Sequence, residues 1–538
     1  MTFLNQTPFK LVFSVFVAWF LYAAIRLVRY RRFYKDLPKP PHSFLWGHLK
    51  LFGEIVAMYP PNTHPQAYYT SLSQKYNLPG IFYIDLWPLG PSLLIIADPD
   101  TASQVTVLKS YPKHIENANF LSPMVGRNNI ASVNGSTWKL LHNMLAPAFA
   151  PLHVKNLVGM MADEVTLFRG TLGRMSQTGE VFSMEETAGK LVFDIIGKAV
   201  FNFPLNAQTT GSECLRDFKE ILKMVVLGRE SWNPLTKARA SFKRKAAIKR
   251  ADSYIDDKIR ERYDYLKREN IEVTKKNALS ILDLVLRERL QESRQMAEKD
   301  SAAELDPDFM ELAITNIKAL LVGGHGTTTD TLCFIYMLLS IHPEAMQHLR
   351  QEHDRVFHSD ISTTHSMLHD SPHKLNELDY TTAVIKETLR LFPVGFGIRT
   401  PDKSSTLTYK GRLFPIENQM ISPCQHTMHY NPAIFPEPAK FDPERFLREG
   451  EVPRNAWRPF ERGARACMGQ DLAVDELRVI LLLTVREFEF ECAGIKPNEK
   501  QRCAWTDMDL RFGDIVFQEL GLEAKPRGGM MMKVRRRV

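Results

Sequence analysis

The stretch Trp457-Arg-Pro-Phe-Glu-Arg-Gly-Ala-Arg-Ala-Cys-Met-Gly469 constrains the chain more than any other feature, because it sets one cysteine between glycines at the threshold of an apolar run. From Gln470 to Phe488, Leu472, Leu477, Ile480, Leu481 and Leu483 recur at helical spacing, which predicts Cys467 at the mouth of a helix. A thiol there meets the positive end of the helix and its free N–H groups, both of which favour the thiolate. Gly463 and Gly469 permit tight turns and close backbone approach to a flat ligand. Arg465, two residues before the cysteine, can pair with an anionic group on that ligand. Zinc would need more ligands at close spacing, and none follow. An axial haem ligand therefore suits the pattern better than zinc or a disulfide. On the cysteine and glycines alone, however, a buried structural cysteine is the commoner reading.

The full pattern F-x-x-G-x-R-x-C-x-G, formed by Phe460, Gly463, Arg465, Cys467 and Gly469, resembles the haem-binding loop of the cytochrome P-450 family of haem-thiolate monooxygenases. Glu461 is less usual in the family at large and is similar to fungal members. The resemblance implies a mainly α fold with a smaller β region, built as one large domain. It also implies haem b (iron protoporphyrin IX), with Cys467 as the metal ligand. A chain of 538 residues would by length alone suggest several domains, yet no glycine/serine linker or internal repeat divides it. Six cysteines (Cys214, Cys333, Cys424, Cys467, Cys492, Cys503) lie far apart, against a secreted disulfide framework and for a reducing compartment. The net charge of +8 reads as a solvated basic surface facing anionic lipid or an acidic partner. No nucleic-acid motif accompanies it, and nucleic acid is not an expected partner.

Leu11 to Ile25 is uncharged and apolar, and snorkelling of Arg26 extends the run to Val28. A signal-peptide core competes with this reading, but no small-residue cleavage site follows. Arg26, Arg29, Arg31, Arg32 and Lys35 follow instead, a cluster that stays cytosolic under the positive-inside rule. The expectation is a single-pass anchor in the endoplasmic reticulum membrane with the body in the cytosol. Asn5-Gln-Thr7 is then a lumenal glycosylation candidate. Residues 1–35 are assigned to the anchor and its basic flank, and 36–60 to a proline-rich hinge and the entry to the domain, stiff over Leu37 to Pro41. Residues 61–538 form the catalytic domain. Ile81 to Ile96 predicts two strands about a turn, with Asp98 as a helix N-cap.

Three further matches support the resemblance. Trp138 and His142 stand one helical turn apart where the family has W-x-x-x-R; the resemblance implies that both contact haem propionates. Pro307 to Ile341 reads as one long helix ended by His342-Pro343. Its middle holds three glycines within four residues, each costing about 1 kcal/mol relative to alanine. Close helix packing is one explanation, and a local opening over a flat cofactor the other. Gly323, Gly324, Thr327 and Thr328 resemble the oxygen-activation motif A/G-G-x-D/E-T-T, which implies proton relay by Thr327. Gly326 stands where the family has its acid, so water, substrate, His325 or Asp330 is left to deliver protons. Finally, Glu387 and Arg390 resemble E-x-x-R, and Arg445 the P-E-R-F arginine; a buried glutamate between two arginines meets its desolvation cost only as a network. These residues are expected to serve haem retention rather than chemistry. Arg399 would reach a propionate, while Val394 to Ile398 and the 115–130 loop, with Phe120, Leu121, Met124 and Val125, would line the substrate pocket.

Elsewhere, Cys214 to Leu227 reads as a helix before a basic run over 237–250, 288–306 as a mobile loop or frayed helix, and Gly528 to Met532 as the last hairpin turn and strand. The implied reaction is reductive activation of O2, with hydroxylation or epoxidation of a lipophilic small molecule, plausible in fungal secondary-metabolite biosynthesis (polyketides or terpenoids). NADPH would act indirectly, through an NADPH-cytochrome P-450 reductase docking at Arg448, Arg454, Arg458 and Arg462. The alternatives are a haem-thiolate isomerase or dehydratase working without reductase, and a non-enzymatic haem-binding membrane protein.

Overall fold

The computed structural model describes residues 7–274, 279–297, 305–402 and 405–537, and the Asn5 acceptor lies outside them. The N-terminal helix, Thr7–Phe33, is longer than its apolar run. Its 27 residues extend about 40 Å at 1.5 Å per residue, enough to cross a hydrocarbon core of about 30 Å. Its stretch from Leu11 to Phe33 is apolar enough to cross a membrane, and its large apolar side chains from Leu11 to Tyr22 are exposed. Arg31 of the basic flank packs against the body of the protein. It is buried, pairs with Asp85, and donates to the carbonyls of Phe44 (3.0 Å), Leu45 (3.0 Å) and Trp87 (3.1 Å). A guanidinium with several donors satisfies a cluster of buried acceptors that a lysine could not.

The proline-rich segment is not a free linker. Tyr83 N–H donates to Pro38 O at 2.9 Å, and Ile55 and Tyr59 already belong to the main core. The predicted strands form as Ile81–Asp85 and Ser92–Ile96, antiparallel, and Met420–Pro423 joins in parallel. Asp98 caps the next helix by accepting from Thr101 N–H at 2.8 Å. A second sheet pairs Met531–Arg536 with Phe488–Cys492 and with Phe182–Ser183. The Gly528 to Met532 segment therefore does not turn a hairpin; its strand finds partners far away in the chain. The small hairpin of this region lies earlier, Glu519–Leu520 against Ala524–Lys525.

Helices dominate the remainder. Glu213–Glu230 and Pro234–Arg268 cover the expected helix and basic run, and of the loop or frayed helix expected from 288 the part to Ala297 is helix, Ile281–Ala297; residues 298–304 lie outside those described. The central helix, Pro307–Leu339, starts at an Asp306 cap with proline in its first turn and stops before His342-Pro343. It stays helical through its glycines, so no local opening of the backbone exists. The glycines divide the two explanations between them. A Cβ on Gly324 would lie 2.9 Å from Ile196 of the Met184–Phe201 helix, which is close packing, whereas one on Gly323 would meet nothing within 4 Å.

Candidate active site

The cysteine loop is a tight backbone structure. Cys467 N–H donates to Phe460 O at 2.8 Å and Ala466 N–H to Gly463 O at 3.0 Å. Gly463 has φ +85°, and a Cβ there would lie 2.1 Å from the Thr106 carbonyl oxygen. Glycine is thus required by both conformation and contact. Gly469 differs from expectation: its φ is −86°, and a Cβ would sit at ordinary contact, 3.9 Å from Cys467 Sγ. The predicted helix runs Gln470–Thr484. Trp457 Nε1 ties the loop to the Asp379–Leu391 helix through Lys386 O at 2.9 Å.

Cys467 is the one exposed cysteine among the six. Its accessible surface faces a cavity of about 280 Å³ whose walls include Phe460, Arg465, Gly469, Trp138, His142, Phe149, Gly323, Gly324, Thr327 and Thr328. The apolar enclosure matters more than the helix terminus. Burial raises the thiol above its ordinary value, and the Gly469 N–H and Lys113 only partly oppose it. The preference for thiolate expected from the helix end is therefore overridden in the protein alone, because desolvation penalises the anion.

Positive groups gather beside the cavity. Arg465 stacks on Trp138, 4.8 Å from the ring centroid, and donates to Asn134 Oδ1 (3.0 Å) and Val133 O (2.9 Å). Burial lowers its pKa to about 10, and Arg399 adds repulsion. Arg399 is buried and meets Glu461 at 3.2 Å, while its Nε and Nη1 find no partner among the described residues. Lys113, which sequence reasoning missed, lines the cavity, and burial and Arg399 push it down to about 7. Buried donors without acceptors cost free energy. A planar ligand carrying carboxylates, with an atom that accepts a thiolate, would satisfy them, so the donor set fits haem.

The buried network forms around Glu387. Arg390 donates to both its oxygens, from Nε at 2.7 Å and Nη2 at 2.8 Å, and Arg445 Nε reaches it at 3.1 Å. Arg390 also donates to the carbonyls of His429, Pro438 and Lys440.

Other expected residues sit elsewhere. His325 points away from the cysteine cavity. Its ring meets Phe193 edge-on at 5.5 Å, it lines a second, small cavity with Gly326 and Glu523, and burial lowers its pKa to about 4. The one-residue step from Gly324 turns it by about 100° around the helix. Met124 lines that second cavity too, whereas Ile130 reaches the first; Val394 is core, and Phe396 packs against His64 and Phe120. Arg458 is buried and donates to Thr106, so it is not a docking residue, while Arg448 is occupied by Glu451 and Asp442. Glu476, another residue without a motif, lines the cysteine cavity with Oε1 lacking a partner among the described residues, and burial raises its carboxyl well above the usual range.

Comparison with known proteins agrees with this geometry. The family model for cytochrome P450 matches residues 38–507. The chain is 32% identical over 510 residues to cytochrome P450 monooxygenase acrF of Aspergillus aculeatus, covering 88% of this chain and 98% of that protein. It is 31% identical to cytochrome P450 monooxygenase polC of Polytolypa hystricis, covering 90% and 87%. Among solved structures, the cytochrome P450DA heme domain superposes with a TM-score of 0.72 at 19% identity, over 93% of this chain and 97% of that one, a likeness of fold.

Proposed function

The chain belongs to the cytochrome P450 family and is a monooxygenase, and from that premise we propose that Cys467 holds haem b in the cavity and that the substrate is a lipophilic small molecule hydroxylated or epoxidised there. One observation carries the reading: a single cavity joins Cys467, Thr327, Lys113 and Arg465, with Arg399 beside it carrying two donors that find no partner among the described residues. When bound, thiolate-ligated haem supplies O2 activation, with the sulfur favouring O–O cleavage.

The chain's own residues position and protect that chemistry. Arg399, Arg465, Lys113, Trp138 and His142 take up the carboxylates of the ligand. Thr327 carries a proton at Oγ1, donated at rest to Gly323 O at 2.8 Å. Ala319, Leu320, Ile196 and Phe149 supply apolar wall that excludes water. The Glu387–Arg390–Arg445 network holds the segment leading to the cysteine loop.

Electrons come from NADPH through a membrane-bound reductase docking on the basic surface, with exposed Arg454 available to it. The N-terminal helix anchors the protein in the endoplasmic reticulum membrane with its body in the cytosol, and fungal lipophilic secondary metabolites are the substrate class. An absorption spectrum of the dithionite-reduced, CO-treated protein tests the central claim. The wild type gives a strongly red-shifted Soret band that Cys467→Ala abolishes. No such band from folded, haem-supplied wild type overturns it.

A further inference from the structure

We propose that Glu523, carried on the Glu519–Lys525 hairpin, supplies the carboxyl that the central helix lacks at Gly326 and passes protons to Thr327. The inference rests on reading the cysteine cavity as the oxygen-activating site. It starts from shared space. A Cβ on Gly326 would lie 2.6 Å from Glu523 Oε1, 2.9 Å from Cδ and 3.1 Å from Oε2. The Glu523 carboxyl fills the volume into which a side chain at 326 would grow. A glycine there is what admits it.

The hairpin holds this position by backbone bonds. Leu520 N–H donates to Asn62 O at 2.9 Å, Ala524 N–H to Val394 O at 2.9 Å, and Gly521 N–H closes the turn on Glu523 O at 2.9 Å. Asp330, one turn along the central helix from Gly326, is buried, and its carboxyl lies within hydrogen-bonding reach of Glu523. Glu185 and Lys525 pair at 2.9 Å on the outer side. Lys219 and His325 line the same small cavity as Gly326 and Glu523, of about 50 Å³, room enough for water.

These neighbours keep a proton on the pair. Burial raises Glu523 to about 7 against the pull of Lys525, and burial with the nearby Glu523 carries Asp330 well above the carboxylate range. Two adjoining carboxyls in low dielectric do not both ionise. His325, neutral by burial, adds no positive charge. An acid poised near the working pH is what proton delivery needs. The step balances in protons alone. The Glu523 O–H bond breaks and its proton passes by water across the side-chain-free Gly326 to the Thr327 hydroxyl, which releases its own proton into the cavity. Solvent at the Glu185–Lys525 rim reloads the Glu523 carboxylate. Glu523 acts through Thr327 and is a positioning residue in that sense.

The test compares Glu523→Gln, Glu523→Asp, Gly326→Asp and the exchange Gly326→Asp/Glu523→Gly in haem-loaded full chain. A wild type without the red-shifted CO band fails the function reading itself, a result separate from any variant effect. Melting temperature reports the shared space: Gly326→Asp melts lower than wild type, and the exchange recovers most of the loss. Peroxide released per NADPH consumed, with reductase and without added substrate, reports proton delivery. Glu523→Gln raises it about tenfold and removes the inflection near pH 7, while Glu523→Asp and the exchange return it towards wild type. The proposal is overturned by wild-type peroxide yield and pH profile in Glu523→Gln, or by an exchange variant that melts no higher than Gly326→Asp.

Discussion

Arg445 Nε donates to Glu387 Oε1 at 3.1 Å, onto the oxygen that Arg390 Nη2 already reaches at 2.8 Å. One carboxylate, wholly buried, so faces two guanidinium groups supplied by segments well apart in the chain.

Removing Arg445 takes a donor from Glu387 Oε1 while Arg390 still holds both oxygens, so the cost falls below the about 3–5 kcal/mol of a buried charge left without any partner. Arg445→Ala therefore lowers the melting temperature and the haem content of purified protein together. Haem content is checked by absorbance against total protein. Arg445→Lys recovers only part, because an ammonium cannot also reach Pro436 O in the planar geometry of the guanidinium.

Gly463 and Gly469 flank the same cysteine and respond differently to one added methyl. Gly463→Ala meets the Thr106 carbonyl and a left-handed backbone at once, a strain of about 1–3 kcal/mol before the collision is counted. It loses haem. Gly469→Ala places its methyl at ordinary contact with Phe149 and keeps it. The reduced-CO spectrum of the two variants distinguishes them.

Asp85 links the N-terminal helix to the sheet. Burial alone would raise its carboxyl, but hydrogen bonds from His42 and Arg31 outweigh it and hold the group below the usual range. A depressed folded value means stability that is present above the unfolded carboxylate range and lost as pH falls through the folded value. Asp85→Asn accordingly destabilises the domain at pH 7, and its deficit relative to wild type shrinks as the pH drops below about 4. Melting curves across pH 3 to 7 read the difference.

Thr327→Ala removes the hydroxyl that donates to Gly323 O while leaving the cysteine loop untouched. The expected outcome is an unchanged CO spectrum with peroxide release per NADPH raised about tenfold, below the ~10²–10⁴ contributed by a positioned proton-transfer group because water keeps part of the route. Equal peroxide yields in variant and wild type would remove Thr327 from the proton route.

The sequence by itself determined whatever depends on neighbours along the chain. The apolar period after Cys467 specified its helix, Pro307 and His342-Pro343 bounded the central helix, and the Glu387–Arg390 spacing set both on one helical face. The cysteine-loop pattern identified the family, and fold and monooxygenase class followed from it. Only the tertiary structure decided which distant residues meet. Lys113 and Glu476 carry no motif, yet both line the cysteine cavity. Arg31 sits in a basic run read only as a membrane flank, and Asp85 and three carbonyls draw it inside. Gly326 reads as a missing acid along the helix, whereas in space the volume belongs to Glu523. The reason is physical: periodicity and spacing record a residue's relation to its own helix or strand, while desolvation and collision arise from whatever the fold brings alongside.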